Sequence, residues 1–135
     1  MKPLFADTSF FVAFLNAKDE NHELAVEHMA SSPERIVTTV WVLVELGNYL
    51  SKAEQRRLFG PFLQELRRER MMFIIPLKYE QFERGVRLYD QRPDKQWSLV
   101  DCISFVIMKQ RRISDALSAD HHFEQAGFTI LLKKP

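Results

Sequence analysis

Three carboxylates occupy places where a folding chain has least use for charge. Asp7 ends the apolar run Leu4-Phe5-Ala6, Glu45 interrupts VWVLVELGNYL, and Asp101 interrupts SLVDCISFVIM. None of these stretches contains a Lys or Arg. An isolated ionised carboxylate in apolar surroundings costs several kcal/mol unless positive charge compensates it. If the three converge in space, a bound divalent cation is the economical compensation, and hard oxygen donors favour Mg2+ or Mn2+. The chemistry expected from such a cluster is metal-assisted hydrolysis.

Composition limits the alternatives. A chain of 135 residues with 46% hydrophobic content fits one domain, residues 1–135, with a core that needs no disulfides. The single cysteine, Cys102, excludes an internal disulfide and argues against cysteine-based zinc ligation. It reads as a small buried hydrophobe, since the adjacent Asp101 disfavours a thiolate. Net charge is +1, so any polyanion must be held by local patches rather than by the overall field. No apolar stretch reaches membrane-span length and no signal-peptide pattern is visible, so the expectation is a cytoplasmic protein with no membrane partner.

The elements that must position these acids alternate along the chain. Residues 3–6 read as a strand ending at Asp7, with Thr8 or Ser9 available as a cap for the helix FFVAFLN. A helix follows Asn21-His22, residues 35–39 are β-branched enough for a second strand, and VWVLVELGNYL is helical. Residues 53–70 form a charged helical stretch expected to break or bend near Gly60-Pro61, before a third strand at 72–75. Helices over 79–91 and 98–109 flank a loop at 92–95. A strand at 113–118 precedes a short helix from Asp120, stopped by Gly127, and a fifth strand at 129–132. The βαβ alternation predicts a parallel sheet covered by helices, with ligands at the carboxyl ends of its strands, where Asp7 and Asp120 fall.

Taken singly, each acid has an ordinary explanation. Asp7 and Asp120 suit helix N-caps, and Glu45 and Asp101 suit solvent-facing helix positions. Adjacent His121 and His122 point in different directions on a helix and read as packing or surface residues, and His22 and His28 as structural or exposed. Phe10, Phe11 and Phe14 fit a buried helix face better than a base-stacking surface. Asp94 and Asp115 suit loop capping and turns. Two basic groups stand out: Arg67, Arg68 and Arg70, which have Glu65 and Glu69 as helix partners, and Lys109, Arg111 and Arg112, which have no acid nearby in sequence. The second group is the favoured phosphate contact for a polyanion.

Four segments in order, FADTSFFVAFLN with Asp19 and His22 downstream, TTVWVLVELGNYL, DKQWSLVDCISFVIM and ISDALSADHHFEQAGF, resemble the PIN-domain ribonucleases, and in particular the VapC-type toxins of toxin–antitoxin pairs. The resemblance extends from the first strand nearly to the last. It implies a three-layer α/β/α domain with a central, mostly parallel sheet of about five strands. It also implies a Mg2+ site, with Mn2+ as substitute, formed from Asp7, Glu45, Asp101 and Asp120, with Thr8 or Ser9 beside it. Asp7 and Asp101 would be direct ligands and Glu45 a ligand through oxygen or water, with Asp120 holding a second ion or orienting water. The implied partners are RNA, a cognate antitoxin and a second copy of the chain. A non-toxin RNA-processing nuclease of the same family, and a non-catalytic RNA- or protein-binding module, are the alternatives. A phosphatase using Asp7 as nucleophile fits less well, because Ser9 stands where that chemistry places a second Asp.

Overall fold

In the computed structural model, which describes residues 2–133, five parallel strands form one sheet with helices around it. The elements are β1 (Leu4–Ala6), α1 (Thr8–Leu15), α2 (His22–Ser31), β2 (Ile36–Thr39), α3 (Val40–Tyr49), α4 (Ala53–Arg56) and α5 (Phe59–Arg68). They continue as β3 (Met72–Ile75), α6 (Tyr79–Gln91), α7 (Leu99–Gln110), β4 (Asp115–Leu117), α8 (His121–Gln125) and β5 (Thr129–Ile130). Strand order is β3-β2-β1-β4-β5. The chain builds outward from β1 to β3, then returns across the sheet to lay β4 on the other side of β1. The carboxyl ends of β1 and β4 therefore flank the topological switch point, the usual ligand crevice of such sheets.

The strands are short, and β1 and β2 are buried throughout, as expected where helices cover both faces. Registers Leu4↔Asp115, Phe5↔Ala116 and Ala6↔Leu117 bring the ends of β1 and β4 level. Strand-to-helix joints are abrupt. Asp7 alone separates β1 from α1 and caps that helix by accepting from Phe10 N, while Thr39 both ends β2 and caps α3 by accepting from Val42 N. Such joints leave little freedom in where the first turns of α1 and α3 point.

Two boundaries differ from expectation. The break in the charged helical stretch falls at Arg57–Leu58, and Gly60-Pro61 lies within the first turn of α5. Proline is tolerated there because the first N–H groups of a helix have no intrahelical acceptor. The last two strands are also shorter than the apolar runs suggest, ending at Leu117 and Ile130.

The core is rich in aromatic rings. Phe105 of α7 meets Phe123 of α8 edge-on with centroids 4.8 Å apart, Trp97 at 5.0 Å and Phe128 at 5.7 Å. This cluster holds α8 against α7. On the other side of α7, Gly85 of α6 lies so close that an added Cβ would press on Ile103, whose Cα would be only 3.2 Å away. A helix backbone cannot retreat as a flexible side chain does. Gly85→Ala is expected to destabilise the protein by about 1–3 kcal/mol despite the better helix propensity of alanine, measurable by urea unfolding.

Candidate metal centre at the switch point

Asp7, Thr8, Ser9, Asp19, Glu45, Ser98, Asp101, Asp120 and His122 line one open cleft of about 430 Å³ at the carboxyl ends of β1 and β4. The four acids that stand apart in sequence are thus brought together, with Asp19 at the rim. Ser9 and Thr8 both join them. Among the described residues, no Lys or Arg lines the cleft.

Each carboxylate has its own hydrogen-bonded support. Asp7 is buried; its Oδ1 accepts from Ser9 Oγ at 2.7 Å and Phe10 N at 3.2 Å, and its Oδ2 accepts from Ser118 Oγ at 2.6 Å. Thr8 donates its hydroxyl to Glu45 on α3. Asp101 forms a capping box with Ser98, accepting from Ser98 N at 3.2 Å while Ser98 Oγ accepts from Asp101 N at 3.0 Å. Asp120 caps α8, accepting from His122 N at 2.9 Å. Capping and convergence are not alternatives here: Asp7, Asp101 and Asp120 reach the cleft because the helices they begin all start there.

Electrostatics follow from the burial. Loss of water raises the Asp7 carboxyl from 3.8 to about 7, against the lowering effect of Ser118, Ser9 and the Phe10 N–H, and with a further upward push from Asp120. Glu45 is raised by burial first and then by Asp101 and Asp120, and Asp101 by burial and Asp120. These are the signs of a site short of positive charge. All its donors are hard oxygens apart from one imidazole, a set that suits a divalent cation of the Mg2+ or Mn2+ type. Cys102 is buried and its thiol is pushed up to about 11 by burial and by Asp101, which leaves it inert beside the cleft.

Two participants are not evident from the sequence. Ser118, fully buried just past β4, is the shortest donor to Asp7. Its position two residues before Asp120 at a strand end is the only sequence clue. His122 is no packing or surface residue: its Nδ1 donates to Asp101 Oδ2 at 3.1 Å and stands 3.4 Å from Asp120 Oδ1. As the residue whose N–H is capped by Asp120, it has its ring held beside that cap. His121 is mostly exposed, and its Nδ1 stands 3.8 Å from Asp120 Oδ1; ligand atoms of Asp120, His121 and His122 lie within 4.8 Å of one another. His22 is structural, its Nδ1 donating to Ala13 O at 2.7 Å.

The structure does not bring Lys109, Arg111 and Arg112 to the cleft. Asp101 sits in the first turn of α7 and Lys109 in the last, about 12 Å away along the axis. Lys109 shares a hollow with Arg84 and Arg87 on the α6–α7 surface, and the Arg111 guanidinium lies 5.3 Å from the Phe73 ring centre.

A doubly wound parallel sheet with a ring of carboxylates at its switch point defines a small α/β domain of the acidic, metal-binding kind. The family model described as the PIN domain matches residues 4–129, and the chain belongs to that family. It is similar to the 23S rRNA-specific endonuclease VapC20 of Mycobacterium tuberculosis, with 28% identity over 125 residues covering 93% of this chain and 95% of that protein. The crystal structure of VapC20, described as a Sarcin-Ricin loop cleaving toxin, matches with a TM-score of 0.84 at 26% identity, covering 95% of this chain and 98% of that one. A toxin–antitoxin complex from Klebsiella pneumoniae shares the fold, with a TM-score of 0.65 at 16% identity over 98% of this chain and 99% of that one. Among the described residues no helix is long and apolar enough to cross a membrane.

Proposed function

We propose that the protein is a Mg2+-dependent endoribonuclease acting as the toxin of a type II toxin–antitoxin pair. The observation that carries the site assignment is the cleft in which Asp7, Glu45, Asp101 and Asp120 meet with no Lys or Arg among them. Asp7 and Asp101 would hold the ion directly, Glu45 directly or through water, and Asp120 would hold a second ion or orient the attacking water. When bound, a divalent cation supplies an activated water and positive charge against the phosphoryl oxygens. The chain's part is positioning. Ser9 and Ser118 fix both oxygens of Asp7, Thr8 fixes Glu45, and Ser98 and His122 fix Asp101, so the carboxylates need little reorganisation. Lys109, with Arg84 and Arg87, would meet only nucleotides remote from the scissile bond.

The partners that complete this function are a cognate antitoxin covering the acidic cleft and a second copy of the chain, in the cytoplasm. The relative's substrate makes 23S ribosomal RNA the first RNA to test. Purified protein is expected to cut ribosomal RNA with Mg2+ or Mn2+ and to stop in excess EDTA, with mapping of new 5′ ends locating the bond. Cleavage that persists in EDTA would overturn the metal assignment.

A further inference from the structure

The acidic cleft does not end at its carboxylates. Tyr49 follows Glu45 by one turn of α3, so the two side chains share a face, and Tyr49 forms part of the cleft wall. It is 55% exposed, and none of the chain's ring–ring contacts among the described residues involves it. A large aromatic ring left bare at the mouth of a polar site has no packing role to explain it. Tyr49 is also a wall of the neighbouring hollow, about 640 Å³, which runs along Lys52–Gln55.

The charge of that neighbouring segment is distinctive. Lys52, Arg56 and Arg57 stand against the single acid Glu54 in residues 50–58. Arg56 donates to Ser51 O and Arg57 to Glu54 O, both backbone carbonyls, and no ion pair among the described residues engages any of the three cations. The opposite flank differs. There the cleft joins a hollow through Gln96 and Ser98, but its Arg92 is held bidentately by Asp94, which also lies 4.0 Å from Lys95. Of the two flanks, the one without ion-paired cations is thus the Tyr49 side, where Lys52 lines the hollow and Arg56 and Arg57 follow at the end of α4.

We propose that Tyr49 is the stacking platform for an unpaired base next to the scissile phosphate, and that Lys52, Arg56 and Arg57 hold the phosphates of the nucleotides leading away from it. The ligand is single-stranded RNA rather than a duplex, because a lone exposed ring offers its face only to a base that has no stacked neighbour there. This rests on the ribonuclease reading and adds the path of the substrate and a positioning residue to it.

The test measures binding of a short single-stranded oligoribonucleotide of mixed sequence to the Asp7→Asn protein across a range of salt, with cleavage by the Asp7-containing protein followed separately. Tyr49→Ala is expected to weaken binding about tenfold at every salt concentration with an unchanged salt slope, while Tyr49→Phe binds as the parent does. An oligoribonucleotide lacking the stacked base should bind the Tyr49→Ala and Tyr49 proteins alike. Replacing Lys52, Arg56 and Arg57 together by Ala should lower the slope of log affinity against log salt by about two, at roughly 0.7 per phosphate contact. Equal binding by Tyr49→Ala and its parent, or equal losses in Tyr49→Ala and Tyr49→Phe, overturns the stacking role. A slope unchanged in the triple variant but reduced by replacing Lys109, Arg111 and Arg112 moves the path to the far end of α7. If RNA is cut but these outcomes fail, only the path is wrong; if the protein neither cuts nor binds RNA, the ribonuclease reading falls with it.

Discussion

Asp7→Asn is expected to abolish RNA cleavage, by at least about a thousand-fold, and to make the metal-free protein more stable at neutral pH. The first effect follows from removing a direct ligand of the metal site. The second follows from burial. A carboxyl raised from 3.8 to about 7 in the folded state keeps its proton where the unfolded chain has lost it. Between about pH 4 and pH 7 the folded state thus binds more protons than the unfolded one, so stability falls as pH rises and levels off above the folded value. The full penalty is on the order of 4 kcal/mol at roughly 1.4 kcal/mol per pH unit. Asparagine avoids the charge and suits the surroundings: its oxygen accepts from Ser9 and the Phe10 N–H, and its amide faces the Ser118 hydroxyl, which has a free acceptor position. A net gain of about 2 kcal/mol at pH 8, vanishing near pH 4, should appear in urea unfolding without metal. A variant less stable than its parent at pH 8 would show that Asp7 is not the strained charge described above.

Protons and divalent ions should compete for the same carboxylates. Because Asp7 is protonated over much of the acidic range, cation binding must displace that proton, and affinity should increase nearly tenfold per unit from pH 5 to 6.5 before levelling above 7. Glu45 and Asp101, also raised, steepen the dependence at its acid end. Titration calorimetry of Mn2+ at pH 6 in two buffers of different ionisation enthalpy should reveal release of close to one proton. Affinity that stays constant between pH 5.5 and 7.5 would place the ion away from Asp7.

The parts of this site visible in the sequence are those that break a pattern. Asp7, Glu45 and Asp101 are conspicuous because charge interrupts an apolar run, and the strands are legible because β-branched and apolar runs alternate with helical periods. Ser118 and His122 break nothing. A serine at a strand end and a histidine in a capped first turn are ordinary, and only the pairing of β4 with β1 turns the first into a donor to Asp7. The helix break at Arg57–Leu58 was obscured by Gly60-Pro61, whose usual meaning lapses in a first turn. Lys109, Arg111 and Arg112 illustrate the opposite error: closeness to Asp101 in sequence conceals the length of the helix between them, whereas Tyr49 reaches the cleft because it lies one turn from Glu45.

The strand order also sets when the cleft comes into being. β4 is made late but sits beside the first strand, so during synthesis Asp7 emerges long before Ser118 and Asp120 exist to face it. At roughly 10 residues per second, about ten seconds of translation separate them. Until then Asp7 has the Ser9 hydroxyl beside it but neither the Ser118 hydroxyl nor Asp120 opposite. Hydrolytic competence therefore does not grow with chain length. It switches on as β4 docks beside β1 and brings Asp120 into the cleft.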